Sequence, residues 1–143
     1  VAGPRRPTTI AADRRWMAYV SDESGRPEVY VQPFPGPGGK RQISIDGGTE
    51  PMWNPNGGEL FYRLGRKFIA VPVGLQPTFS AGKPVTLFEA DYAASEFPLT
   101  SPGYDVSSDG QRFLVAKDVA PPPTQINVVV NWIEELKQRV ATR

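Results

Sequence analysis

The groups able to do chemistry in this 143-residue chain are few, and two absences define them: it has no histidine and no cysteine. That removes Ser-His-Asp and Cys-His catalysis, imidazole and thiolate zinc sites, the usual neutral-pH proton shuttle and any disulfide. What remains is oxygen chemistry. Asp22 and Glu23, or Asp105 and Asp109, are oxygen donors of the kind calcium takes. No Asp-x-Asp-x-Asp-Gly loop is present, so a calcium site needs carboxylates that converge from separate parts of the chain. Asp105 and Asp109 are the weak metal candidates, with turn formation and solvation as the competing duty. Ser21, Ser107 and Ser108 have no histidine to activate them, so the enzymatic route left open is a metal-bound water held by Asp and Glu.

Two further groups invite a binding reading. "GPGG" at 36–39, followed by Lys40 and Arg41, has the glycines of a phosphate loop. It lacks the Gly-x-x-x-x-Gly-Lys-Ser/Thr spacing, and no helix is expected after it, so it reads as a hairpin loop. Trp16, Trp53, Phe61, Tyr62, Phe68 and Phe113 could line a ligand surface. Each sits in or beside an apolar strand-like run, so packing between sheets is their default duty. Trp53, beside Asn54, is the aromatic expected to face a channel, with Asp105 on the same binding face.

The elements that must position these groups follow from a repeat. "IAADRRWMAY", "WNPNGGELFY" and "VSSDGQRFLV" each place Asp or Asn ahead of an apolar run. Aligned on Asp13, Asn56 and Asp109, the copies are 43 and 53 residues apart. That is close to the length of one four-stranded propeller blade. Asn56-Gly57 and Asp109-Gly110 are turn signals: the short side chain accepts backbone hydrogen bonds, and glycine tolerates positive φ. Asp13 is followed by Arg14 instead, so the first turn is expected to be looser or different.

The strands parse around these turns. "PTTIA", "TEPMWN" and "SPGYDVS" are the expected innermost strands. "RWMAYVSD" and "PEVYVQPF" flank the hairpin "ESGR", with "KRQISID" as a third or fourth strand. "GELFYRL" and "KFIAVPV" flank "GR", followed by "KPVTLFEA"; "QRFLVAKD" and "QINVVV" flank "VAPPPT". Met17, Tyr19 and Val29, Val31 alternate as half-buried strands do. "NWIEELKQRV" changes period: Trp132, Ile133, Leu136 and Val140 share a helical face, with Asn131 and Glu134 as a capping box. The expected fold is all-β: three four-stranded antiparallel blades at about 7–46, 47–91 and 100–132, in one domain, plus a C-terminal helix over 131–140.

"RRWMAYVSDESGRPEVYVQPF", "PMWNPNGGELFYR" and "YDVSSDGQRFLV" resemble the TolB-type β-propeller repeat, a Ser-Pro-Asp-Gly-Lys turn followed by an apolar strand and a hairpin. "PPPTQINVVVNWIEELKQRV" is similar to the ends of TolB-like propellers that follow bacterial Ser/Thr protein kinase domains. The resemblance spans 12–140. The first copy departs from it with Ala-Ala-Asp-Arg, and "VAGPRRPTTI" matches no part of the repeat. No kinase signature is present. The resemblance implies a half-ring that binds a protein or ligand without catalysis. A homodimer, or blades supplied by a parent chain, would close it. The alternative is a calcium-dependent hydrolase such as a propeller lactonase, or the accessory propeller of a larger hydrolase.

Charge and hydropathy narrow the partners. Lys plus Arg is 16 against 15 for Asp plus Glu, without the basic excess of a nucleic-acid binder. "INVVVNWI" is far short of a membrane span. The first ten residues lack the apolar core of a secretory signal. The compartment, cytoplasmic or periplasmic, stays open.

Overall fold

The computed structural model describes residues 8–91 and 102–116. The C-terminal helix expected over 131–140, the strand at "QINVVV" and the first seven residues lie outside them. The described chain is all-β, with antiparallel sheets of four, five and two strands and no helix among the described residues.

The first sheet orders β1 (Thr8–Ile10), β2 (Trp16–Ser21), β3 (Glu28–Pro33) and β4 (Arg41–Gln42) as they occur in the chain. "ESGR" is the β2–β3 hairpin connection: Gly25 takes φ +93° and its N–H donates to the Asp22 carbonyl at 2.9 Å. "GPGG" lies between the paired strands β3 and β4, a loop at a sheet edge. The "KRQISID" segment contributes only Arg41 and Gln42 to the ladder, as the fourth strand.

The second sheet is built on β5 (Thr49–Trp53), β6 (Glu59–Leu64) and β7 (Lys67–Gly74). Gly65 at φ +57° lets Leu64 pair with Lys67 across a two-residue turn. The expected four strands become five. The eight-residue β7 outruns a single partner: its end pairs with β8 (Ser80–Ala81) and its start with β9 (Val85–Glu89). The third sheet has two described strands, β10 (Tyr104–Val106) and β11 (Phe113–Val115).

The middle sheet is covered on both faces. Leu60, Tyr62, Ile69 and Val71 belong to the core shared with Ala18, Val20, Val29 and Val31 of the first sheet. Their neighbours Phe61, Phe68 and Ala70 belong to a second core with Tyr104, Val106 and Phe113 of the third. This explains why "LFY" and "FIAV" run apolar without alternating: each face meets another sheet, so neither is left for polar side chains. The alternation expected at Met17 and Tyr19 is real, with those two half-buried and Ala18 and Val20 alternating with them into the core, but at Val29 and Val31 it fails, because Glu28 to Val31 are all buried.

Candidate functional site

Three turns of one geometry join β1 to β2, β5 to β6 and β10 to β11. In each, the carbonyl of Ala11, Asn54 or Ser107 accepts the N–H three residues on, at 2.8 Å in all three cases. The N–H of the same residue donates to the carbonyl five residues on, at 2.9 Å. Asp13, Asn56 and Asp109 each turn Oδ1 onto the N–H two residues ahead, at 3.0, 2.9 and 3.0 Å. Arg14, Gly57 and Gly110 follow them at φ +58°, +81° and +72°.

The first turn is therefore not looser. Arg14 takes the left-handed conformation that glycine takes in the other two, held by the same three hydrogen bonds. Its difference lies elsewhere. The Ser107 hydroxyl donates to Asp109 Oδ1 and accepts from Arg112 N at 3.0 Å. Ala11 has no such group, and Asp13 Oδ2 is buried without a partner among the described residues. The Ser107 hydroxyl, then the Gln111 N–H, hold the Asp109 carboxyl below its ordinary value.

Trp53 and Asn54 do not face a channel. Trp53 is buried in the core between the first two sheets, and its indole N–H donates to the Thr9 carbonyl at 3.1 Å. Asn54 has no exposed surface; its amide donates to Glu59 at 2.9 Å and its oxygen accepts from Asn56 N at 3.1 Å. Asp105 is exposed on β10, where its Oδ1 meets the Val106 N–H at 2.8 Å. Among the described residues, no three acidic groups gather where a metal could bind, so Asp105 and Asp109 have no third carboxylate with them. Lys40, beside "GPGG", is bonded to Glu23 at 2.5 Å. Trp16, Phe61, Phe68 and Phe113 pack against other rings at 4.9–5.8 Å between sheets.

Other groups escaped the sequence reading. Glu28 is buried and satisfied: it accepts from Arg26 Nε at 2.7 Å, from Gly47 N at 2.9 Å and from the Ser44 hydroxyl. Glu50 is buried too, at φ +53° on the β5 bulge. It faces Arg63 at 3.5 Å, and its second oxygen accepts from Gly103 N at 2.9 Å. Each acid pins the segment that leads to or from a neighbouring sheet. A lone Glu within the apolar runs "PEVYV" and "TEPMW" was the available signal, because a buried charge is tolerated only where partners await it. The chain also holds one Ser-x-x-Lys spacing, Ser80 to Lys83. That spacing serves acyl transfer where a helical turn puts both side chains on one face; Ser80 here opens an extended strand.

Among the described residues, two of the hollows are large enough for small molecules. One, of about 310 Å³, lies between the outer parts of the first two sheets, lined by Trp16, Pro33, Arg41, Thr78 and Phe79. Arg41 lies 6.0 Å from the Phe79 ring, so the slot offers two aromatic faces and a cation to a flat or anionic group. The other, of about 580 Å³, opens beside β10 and β11, with Met52, Tyr104, Asp105 and Leu114 in its walls. The exposed apolar residues Ile10 (44 %) and Leu114 (74 %) mark the outer sides of the first and third sheets. The chain matches no family model and no curated protein.

Proposed function

We propose that this chain is a run of TolB-like β-propeller repeats, a non-catalytic module that binds a protein or ligand once its ring is closed. The observation that supports it most is the middle sheet, sandwiched by residues at equivalent repeat positions. Leu60 and Tyr62 face the sheet before; Phe113 and Val115, fifty-three positions on, do the same from the third sheet. Stacking with one sense, repeat after repeat, is how blades succeed each other around a propeller axis.

The deciding experiment is a crystal structure of the purified chain. Sheets fanned about a common axis support the proposal, and a closed two-layer sandwich refutes it. The catalytic side is tested by lactone and ester hydrolysis with and without chelator. No chelator-sensitive turnover and an unchanged melting temperature with calcium are expected. Chelator-sensitive turnover would replace the binding module with a metal-dependent hydrolase.

A further inference from the structure

Among the described residues, no further sheet lies over the outer face of the first sheet or of the third, the faces that the repeat covers elsewhere. Positions 17, 60 and 113 are equivalent by the turn alignment, as are 18, 61 and 114, and 10, 53 and 106. Within the chain, the second set on one sheet always meets the first set on the next. Ala18 shares a core with Leu60, and Phe61 meets Phe113 edge-on at 4.9 Å between ring centres. The third member, Leu114, points away from the second core and is 74 % exposed. At the other end, Met17 and Ile10 occupy the positions at which Leu60 and Trp53 are buried by the preceding sheet. Ile10 is 44 % exposed there and Met17 half-buried. On the same side the half-buried Tyr19 stacks on Tyr30 at 5.9 Å, and Tyr30 is buried, with the Lys40 ammonium 5.6 Å from its ring.

Resting on the propeller reading, we infer that a second copy of this chain covers both open faces. The third sheet of each protomer packs on the first sheet of the other, with Leu114 meeting Met17 of the partner subunit as Phe61 meets Phe113 within the chain. The contact continues an interface that already occurs twice in the chain, with the same positions on each side. Three sheets and three sheets make six, inside the range of about four to eight blades at which propellers close. A half-turn about the ring axis generates both contacts at once, so the assembly ends at two copies.

Light scattering and thiol crosslinking on the full chain test this. The expected mass is twice the 15.7 kDa of one chain at micromolar concentration. Leu114→Arg is expected to halve it while the circular dichroism spectrum stays unchanged. Because the chain has no cysteine, Met17→Cys with Leu114→Cys reports only the proposed contact. A short bismaleimide should give covalent dimers from the double variant and none from either single variant. A ladder of larger species, dimers from Leu114→Cys alone, or a wild-type monomer would each overturn the second copy. A monomer whose crystal structure still fans its sheets about an axis would overturn this inference and leave the repeat reading standing.

Discussion

The two glycines of the repeat turns carry similar φ, +81° and +72°, but unequal surroundings, and a methyl group distinguishes them. A Cβ on Gly57 would meet only Leu75 Cδ1, at 3.9 Å. A Cβ on Gly110 would lie 2.1 Å from Asn54 Oδ1, a side chain with no exposed surface and two hydrogen bonds of its own. Gly57→Ala should therefore cost about 1–2 kcal/mol, the left-handed backbone strain alone. Gly110→Ala should cost at least about 3 kcal/mol, because strain adds to the displaced Asn54 hydrogen bonds at about 1 kcal/mol each. Urea melts of the two variants check the order; equal losses would mean that the second and third turns do not touch. The first turn offers the reverse experiment. Ala11→Ser places a hydroxyl where Ser107 has one, and there Ser107 donates to Oδ1 of the turn aspartate, the atom equivalent to Asp13 Oδ1. A gain of about 1 kcal/mol is expected from that hydrogen bond. A loss would mean that the buried Ala11 position has no room for the oxygen.

Between elements, β5 holds β10 through polar groups as well as through the aromatic core. The Tyr104 hydroxyl donates to the Glu50 carbonyl at 2.9 Å, beside the Glu50–Arg63 pair. Burial, and then the Glu50 charge, push the Tyr104 hydroxyl well above its ordinary value of 10.0. The folded state thus holds the proton more tightly than the unfolded chain. Stability from this group is intact below about pH 10 and falls as pH rises beyond it, by up to about 1.4 kcal/mol per pH unit. Burial raises Tyr19 and Tyr62 as well, so alkaline loss has more than one source. Tyr104→Phe keeps the ring and removes one of them. It should cost about 1 kcal/mol at neutral pH, and the gap to the wild type should narrow above about pH 10. Urea melts at about pH 8 and about pH 11 decide: a gap of the same size at both would show that this hydroxyl does not drive the alkaline loss.

For the molecule as a whole, equivalent positions have different weights according to whether another described sheet covers them. Phe61 and Leu114 occupy the same repeat position; one is 1 % exposed in the second core and the other 74 % exposed. Phe61→Ala opens a cavity between the second and third sheets and should cost about 3–5 kcal/mol. Leu114→Ala should change the stability of a single chain by less than about 0.5 kcal/mol. It should instead weaken association, read as a mass that falls towards one chain on dilution. A large stability loss from Leu114→Ala with no change in mass would place that residue in a core of its own chain.

The all-β class, the strand runs and the three turns were legible along the chain. Those depend on local causes: Asx side chains that cap their own backbone, glycines at positive φ, and apolar runs of strand length. Even there a local rule misjudged Arg14, because three hydrogen bonds hold the backbone against the preference of its side chain. Which face each strand buries was decided only in the tertiary structure. Trp53 sat on the expected inner strand yet turned into the core, since the first sheet lies over that side of β5, and Asn54 is buried against the Gly110 turn of the third sheet. The fifth strand of the middle sheet and the acid-held links at Glu28 and Glu50 were likewise invisible along the chain. Their partners, Ser44, Gly47, Arg63 and Gly103, come from other strands and loops, and only packing brings them within hydrogen-bond reach.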